Sequence, residues 1–335
     1  TQAKPLTGTD GATYPVALKS TNGDLYVIFR KTLSQDLTGT QPGDWYEPEY
    51  YTKSVDNGQT WSTQILIDTE QRADGWNCLY LSGVKYDEVQ NGVHITFLPH
   101  FAHNQQTRQM IHVWFSFDDD HVYSASGQDL GTFVDRDEYE QHCVLFDDGE
   151  RPAWGSGAIV DTDPNGMLHA MAQRDTDNDG SLELWWMKQT GTGWSETLID
   201  WSTSGGIRLI PFTLDVVAEN DVTMHVNAFE HLQDPADIHS GHTELAKYRW
   251  DGVSWTRREV LFGRALNDLA WIELNPVQGG IAELAYTFNE LTMTAHWNQA
   301  KKLGRIYGYG SAGIRKNNAT TQATSPVGRG IRFDG

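Results

Sequence analysis

Hydrophobic positions along this chain alternate with polar ones in short runs, and no long stretch keeps the three-to-four-residue spacing of an amphipathic helix. The runs recur in a fixed order. A strand led by a turn pair appears five times: Asn22-Gly23 before DLYVIFR, Asn91-Gly92 before VHITFLPH, Asn165-Gly166 before MLHAMAQR, Asn220-Asp221 before VTMHVNAFEH, and Gly279-Gly280 before IAELAYTFNE. Ahead of each copy lies another strand-like run: TYPVALKS, LYLSGVKYD, GSGAIVDTD, IRLIPFTLDVVA and LAWIELNPV. Behind each come the two arms of a hairpin: EYYTKSVDNGQTWS, IHVWFSFDDDHVYS, LELWWMKQTGTGWS, ELAKYRWDGVSWTR and MTAHWNQAKKLGRIYGYG. A unit of short antiparallel strands repeated in this way predicts an all-β fold, a single β-propeller of four-stranded antiparallel blades. Five blades are visible, and six or seven stay open because HCVLF, within residues 127–152, is a further strand-like piece. No linker divides the chain, so residues 1–335 read as one domain, with 313–335 as a C-terminal tail or closing strand.

The most defined hairpin is Tyr51 to Ser62, in which Asp56-Asn57-Gly58 requires left-handed backbone at the turn and Trp61 starts the return strand. Its spacing, Ser54-x-Asp56-x-Gly58-x-x-Trp61, resembles the Asp-box of bacterial-neuraminidase repeats. That resemblance implies that Asp56 closes the turn and that Trp61 packs between blade hairpins. The box occurs in enzymes and non-enzymes alike, so it names a scaffold and leaves function open.

Composition narrows the classes. The 335 residues can bury a sizeable core, and 13 Trp, 13 Tyr and 12 Phe favour strands and flat surfaces for stacking ligands. A formal charge of −20 speaks against a nucleic-acid partner, which would need a basic footprint. No apolar run approaches the roughly 20 residues of a membrane span, so a soluble protein with no membrane partner is expected. The chain opens at Thr1 rather than Met, which reads as a processed or trimmed start. Two cysteines, Cys78 and Cys143, read as buried thiols rather than a bridge. The polar, Gly-rich, acidic composition suggests a secreted or periplasmic monomer.

In a propeller the ends of equivalent strands converge near the central axis. Counted from the turn pairs, those ends are Arg30, His100, Arg174, the cluster Phe229-Glu230-His231, and Phe288-Asn289. Two arginines with one or two histidines on one rim suit an anionic sugar. A guanidinium holds a carboxylate bidentately, and an imidazole exchanges a proton near neutral pH. In β-elimination at a uronic acid, Arg174 would neutralise the carboxylate and His100 would remove the neighbouring C5 proton.

The early Tyr14-Pro15 strand, NGDLYVIFR, DWYEPEYYTKSVDNGQTWS, and GVHITFLPH followed by IHVWFSFDDD together resemble the propeller lyases that act on rhamnose-glucuronate linkages. These are the ulvan lyases and rhamnosyl-glucuronate lyases, grouped with a related rhamnosidase. The resemblance spans residues 13–255. It implies a polysaccharide lyase that cleaves a uronic-acid-containing glycan, such as ulvan or arabinogalactan side chains, with no cofactor required. That family lines its site with two His, a Tyr and an Arg; His100 matches the second His, and Arg174 matches the Arg. Two positions depart from the pattern. Trp76-Asn77 and Tyr80 stand where the first His is expected, and Gly155-Ser156-Gly157 stands where the Tyr is expected. The acid role is therefore open among Tyr80, His103, Tyr139 and His142. The candidate catalytic set is His100, Arg174 and Tyr80, with Arg30, Asn77, His103, Trp154, Arg208 and His231 as substrate-binding candidates.

Each candidate has a plainer reading. Arg30 and Arg208 suit structural ion pairs or strand caps, Arg174 can pair with Asp175 or Asp177, and Trp154 can pack between blades. His94, His169 and His225 lie inside strands and read as hydrogen-bonded core histidines. Asp175-x-Asp177-x-Asp179-Gly180 resembles the first half of a calcium loop, so Asp175, Asp177 and Asp179 are candidate ligands for a structural calcium. Trp186 occupies the twelfth position, where such a loop carries Glu, and this favours a solvated acidic tip. His239 and His242 lack the partners a zinc site needs. Two other functions compete with the lyase: a rhamnosidase-like or sialidase-like glycoside hydrolase, and a non-catalytic carbohydrate-binding propeller. The hydrolase would need a pair of carboxyl groups flanking the bond, and Asp44, Glu49, Glu230 and Asp268 are available.

Overall fold

The computed structural model describes residues 12–35, 45–70, 77–102, 105–151, 158–174, 176, 183–191, 193–201, 207–230, 243–256, 259–264, 282–288, 305–310 and 313–318. The chain divides into two compact units, Thr1–Asp179 with Trp185–Leu198, and Gly180–Leu184 with Ile199–Gly335. The fold class is the all-β propeller type, built of antiparallel sheets as the repeat predicts.

The first unit begins with β1 (Ala12–Lys19), β2 (Leu25–Lys31), β3 (Ser34–Gln35), β4 (Trp45–Glu47), β5 (Glu49–Ser54) and β6 (Ser62–Ile67). Strands β1-β2-β5-β6 form one four-stranded sheet. Next come β7 (Asn77–Asp87), β8 (Gly92–Ala102), β9 (Gln105–Ser116) and β10 (Val122–Tyr123), a helix α1 (Arg136–His142), and β11 (Val144–Arg151). The second sheet runs β10-β9-β8-β7-β4-β3, with β11 also on β9. The short strands β3 and β4 thus leave the first sheet to extend the second, β4 pairing parallel with β7. Pro48 stands at the crossing, and its carbonyl accepts from Lys31 N at 3.0 Å. The third sheet is β12 (Ala158–Thr162), β13 (Leu168–Arg174), β14 (Glu183–Thr190) and β15 (Gly193–Trp201).

In the second unit β16 (Ile207–Ala218), β17 (Asp221–Glu230), β18 (Thr243–Trp250) and β19 (Glu259–Arg264) form a four-stranded sheet. Strands β20 (Ala282–Phe288), β21 (Arg305–Gly310) and β22 (Gly313–Asn318) form a three-stranded one. The five described sheets follow the five repeats; the turn-led run begins the second strand of the first four and supplies β20, the first described strand of the fifth. LAWIELNPV, expected ahead of β20, lies outside the described residues.

The side-chain period of two decides where the core sits. Tyr26 and Ile28 of β2 and Tyr51 of β5 face the second sheet, where they meet Val93, Ile95, Phe97, Ile111, Val113 and Phe115 in one buried cluster. Tyr26 stacks on Phe117 with centroids 4.1 Å apart, and its hydroxyl donates to Asp120 at 2.8 Å. Lys53 completes that end of the core by pairing with the same Asp120 at 2.8 Å. A second cluster, including Leu98, Met110, Phe146, Ala170, Ala172 and Met187, lies between the second and third sheets. There the backbones approach closely: Ala158 N donates to Ser82 Oγ at 2.7 Å, and Ala158 O accepts from Thr96 Oγ1 at 2.9 Å. Gly83 makes the approach feasible, since a Cβ there would lie 2.8 Å from Ala158 O.

The Asp-box turn forms as its spacing predicts. Asn57 and Gly58 have φ of 59° and 83°, and Asp56 Oδ1 accepts from Gln59 N and Thr60 N at 2.9 and 2.8 Å. Trp61 folds back so that its indole N–H reaches Gly58 O at 3.3 Å. The helix α1 is not expected from hydrophobic periodicity. Asp135 and Glu138 cap it reciprocally, and this Asp-x-x-Glu pair is the local signal for it. Of HCVLF, only Val144–Phe146 become strand, opening β11, while His142 ends α1 and Cys143 caps it. Cys143 is a free buried thiol, and burial pushes its pKa up to about 12.

Candidate active site

The row Tyr26–Ile28 ends in a charge. Two residues on, Arg30 continues the same face of β2 and is 6% exposed. Its Nε lies 3.2 Å from Glu47 Oε2 and 3.2 Å from Thr13 Oγ1. The guanidinium carbon sits 4.8 Å from the ring centre of Tyr14 and 4.6 Å from that of Tyr80. Arg30 therefore has its charge paired and its flat surface against two aromatic rings, which is the environment a guanidinium tolerates and an ammonium does not. Glu49, its neighbour across β2 and β5, is fully buried. Burial pushes the Glu49 carboxyl up to about 8; Arg30 opposes that shift, and Glu47 adds to it. At neutral pH Glu49 is thus uncharged beside the Arg30 guanidinium.

Tyr80 links this group to the second cluster. Its ring meets the Tyr14 ring edge-on at 6.0 Å and packs against the buried group that contains Leu98 and Phe146. Arg174, the last residue of β13, lies over that same Phe146 at 4.5 Å and over Trp185 at 5.4 Å. Its Nη1 pairs with Glu196 Oε2 at 2.8 Å. Arg30 and Arg174, both at the ends of second strands, thus flank one aromatic and apolar patch. His100 is placed by its backbone: β8 sets it opposite Cys78 of β7, and Cys78 lies opposite Glu47 of β4. One cross-strand row therefore carries Glu47, Cys78 and His100, with Tyr80 two residues along β7.

The structure thus brings Arg30 and Tyr80 into contact and sets Arg174 on the cluster that Tyr80 packs against. The backbones of Asn77 and Arg208 lie in β7 and β16, opposite Tyr46 and Phe229, and the side chains of Asn77, His100 and Arg208 are outside the description. His103, Trp154, His231, Asp175, Asp177 and Asp179 lie outside the described residues, as do His239 and His242. Among the described residues no group of three or more His, Cys, Asp or Glu could hold a metal ion, and no helix is long and apolar enough to cross a membrane. Of the alternative acids, Tyr139 is fully buried in the first core, and His142 ends α1. His94, His169 and His225 are buried strand residues as expected. His94 Nδ1 lies 3.0 Å from His112 Nε2, and His169 Nδ1 accepts from the Trp186 indole at 3.2 Å. Sequence reasoning did not single out Tyr14 as a site residue, named Glu49 only as one available carboxyl group, and missed the pairing of Glu47 with Arg30. Their signal was the E-P-E step directly opposite the Arg-ended strand.

The family model described as "BNR repeat-containing family member" matches residues 2–201. No curated protein matches the chain. Among solved structures, an ulvan lyase of polysaccharide lyase family PL25, bound to -[GlcA(1-4)Rha3S]-, is similar at a TM-score of 0.66 and 14% identity. The match covers 92% of this chain and 66% of that one, so this chain spans just under two thirds of the lyase's length. An α-L-arabinanase from Penicillium chrysogenum complexed with arabinobiose is similar at 0.50 and 13% identity, covering 92% and 81%. A protein of unknown function from Dyadobacter fermentans is similar at 0.51 and 11%, covering 93% and 84%. At these identities the likeness is one of fold.

Proposed function

The chain belongs to the BNR repeat-containing family, and from that membership we propose that it is a polysaccharide lyase that cleaves uronate-containing glycans by β-elimination. The observation that carries the reading is the patch at the strand ends: Tyr80 packed between Arg30 and the Phe146 cluster that also holds Arg174, with His100 in the adjoining row. In the reaction, Arg174 exchanges Glu196, itself 39% exposed, for the substrate carboxylate and so acidifies C5. His100 takes the C5 proton, the electron pair forms the C4–C5 double bond, and the C4–O bond breaks. Tyr80 returns a proton to the departing oxygen, and Arg30 beside its ring favours the phenolate that is left. The ulvan lyase of like fold supports a rhamnose-glucuronate polymer as substrate.

A glycoside hydrolase is the second reading, and one observation favours it. Burial pushes the Glu49 carboxyl up to about 8, and Glu47 beside it adds to the shift; a carboxyl that keeps its proton near neutral pH is what the acid of a hydrolase needs. Its complete burial opposes that role. Incubation with ulvan, with a rhamnose-capped arabinogalactan and with arabinan separates the two. A lyase produces an unsaturated, ultraviolet-absorbing uronate, whereas a hydrolase produces reducing ends without absorbance. Absence of the absorbing product from every uronate polymer tried would end the lyase reading.

A further inference from the structure

Tyr14 is held in a conformation its own chemistry disfavours. Its φ is 54°, in the left-handed region that a bulky aromatic residue rarely enters. Pro15 follows it, and a residue before proline is pushed still more strongly toward extended backbone. Glycine would sit there without strain. The cause of the geometry is a bulge: Thr13 pairs with Arg30 and Val16 with Ile28, so Tyr14 and Pro15 together oppose the single Phe29. A bulge of this kind re-aims a side chain. Here it turns the Tyr14 ring onto Arg30 and against the edge of Tyr80 while leaving the residue 49% exposed. Strain of this type persists where the surrounding structure enforces it and commonly marks a ligand contact.

We infer that Tyr14 is the stacking platform for a pyranose ring of the bound glycan, locked in place by Arg30 and Tyr80. A sugar presents a weakly polar C–H face, and a half-exposed ring fixed on two sides offers a flat surface that loses little freedom on binding. The inference rests on the carbohydrate reading above and not on the lyase step, so the two can fail separately.

The test compares wild type with Tyr14→Phe and Tyr14→Gly, by calorimetric titration with ulvan oligosaccharides and with arabinan oligosaccharides, and by steady-state kinetics on the parent polymers. Tyr14→Phe should bind within about twofold of wild type, because the stacking surface is kept. Tyr14→Gly should weaken binding about tenfold and raise KM with little change in kcat, as loss of uniform binding does. Its melting temperature should not fall, because glycine relieves the positive φ. Unchanged affinity and KM in Tyr14→Gly would overturn the platform while leaving the lyase reading intact if the absorbing product still forms. Weakened affinity without any absorbing product from wild type would support the platform and remove the lyase. Failure of wild type to bind either oligosaccharide overturns the platform as well.

Discussion

Glu49 shows how one buried side chain sets two pH-dependent properties. Its folded pKa lies near 8, above the 4.5 of an exposed glutamic acid, so the folded state binds a proton that the unfolded chain has lost. The stability it contributes is complete below about pH 4.5 and is lost progressively as pH rises to about 8, with a slope of at most about 1.4 kcal/mol per unit. Glu49→Gln keeps the shape without the charge, so denaturation midpoints of the variant should decline less than those of wild type between pH 5 and 8. Parallel profiles would show that Glu49 is already ionised. Above pH 8 its ionisation adds a negative charge beside Arg30, and turnover of an anionic glycan should fall there in wild type more than in Glu49→Gln. At His100 the expectation concerns chemistry alone. His100→Ala should lower β-elimination about 10²–10⁴-fold with an unchanged circular-dichroism spectrum; near-wild-type activity would move the base elsewhere. Arg30 was legible as a strand-end residue, and its partner was not. Nothing in a linear reading shows that Glu47, which follows residues 36–44, returns beside it.

At the scale of elements, the sheets stack through contacts that tolerate little added volume. A Cβ on Gly83 would stand 2.7 Å from Thr96 Oγ1 and 3.0 Å from Ile159 Cα, so β7 and β12 could not keep their spacing. Gly83→Ala is expected to cost about 1–3 kcal/mol in chemical denaturation; a variant as stable as wild type would mean that the strands separate freely. The β8–β9 pair carries the opposite pH response to Glu49. Burial holds His94 down to about 4, and His112 is depressed as well, by burial and by His94. Because both stay neutral in the fold, their contribution is present above the ordinary histidine pKa of about 6.5 and is lost as pH falls below it. The melting temperature should therefore drop on acidification from pH 6.5 toward 4, and less so in a His112→Gln variant. Strands and the Asp-box turn were readable because alternation and Asp-Asn-Gly are local signals. The helix α1 was not, because seven residues with two of them buried present no period to detect.

For the molecule as a whole, the charge of −20 opposes approach of an acidic polymer, while the arginines at the patch attract it only at short range. Added salt screens the first effect more than the second. The apparent KM on a uronate polymer should accordingly fall as ionic strength rises from low values. A rise would mean that long-range attraction already governs binding. The five-fold repeat made the sheet order legible over most of the chain. The exchange of β3 and β4 into the neighbouring sheet was hidden, since two- and three-residue strands carry no alternation of their own.

That exchange has a mechanical corollary. Because the backbone threads from one blade into the next and back across Pro48, tension on either blade is transmitted through a covalent tie as well as through side chains. Peeling the first blade away would require unzipping the β4–β7 seam at the same moment. Amide protons in β2, β5, β7 and β8 should then exchange with deuterium through one common opening event, sharing a single denaturant dependence.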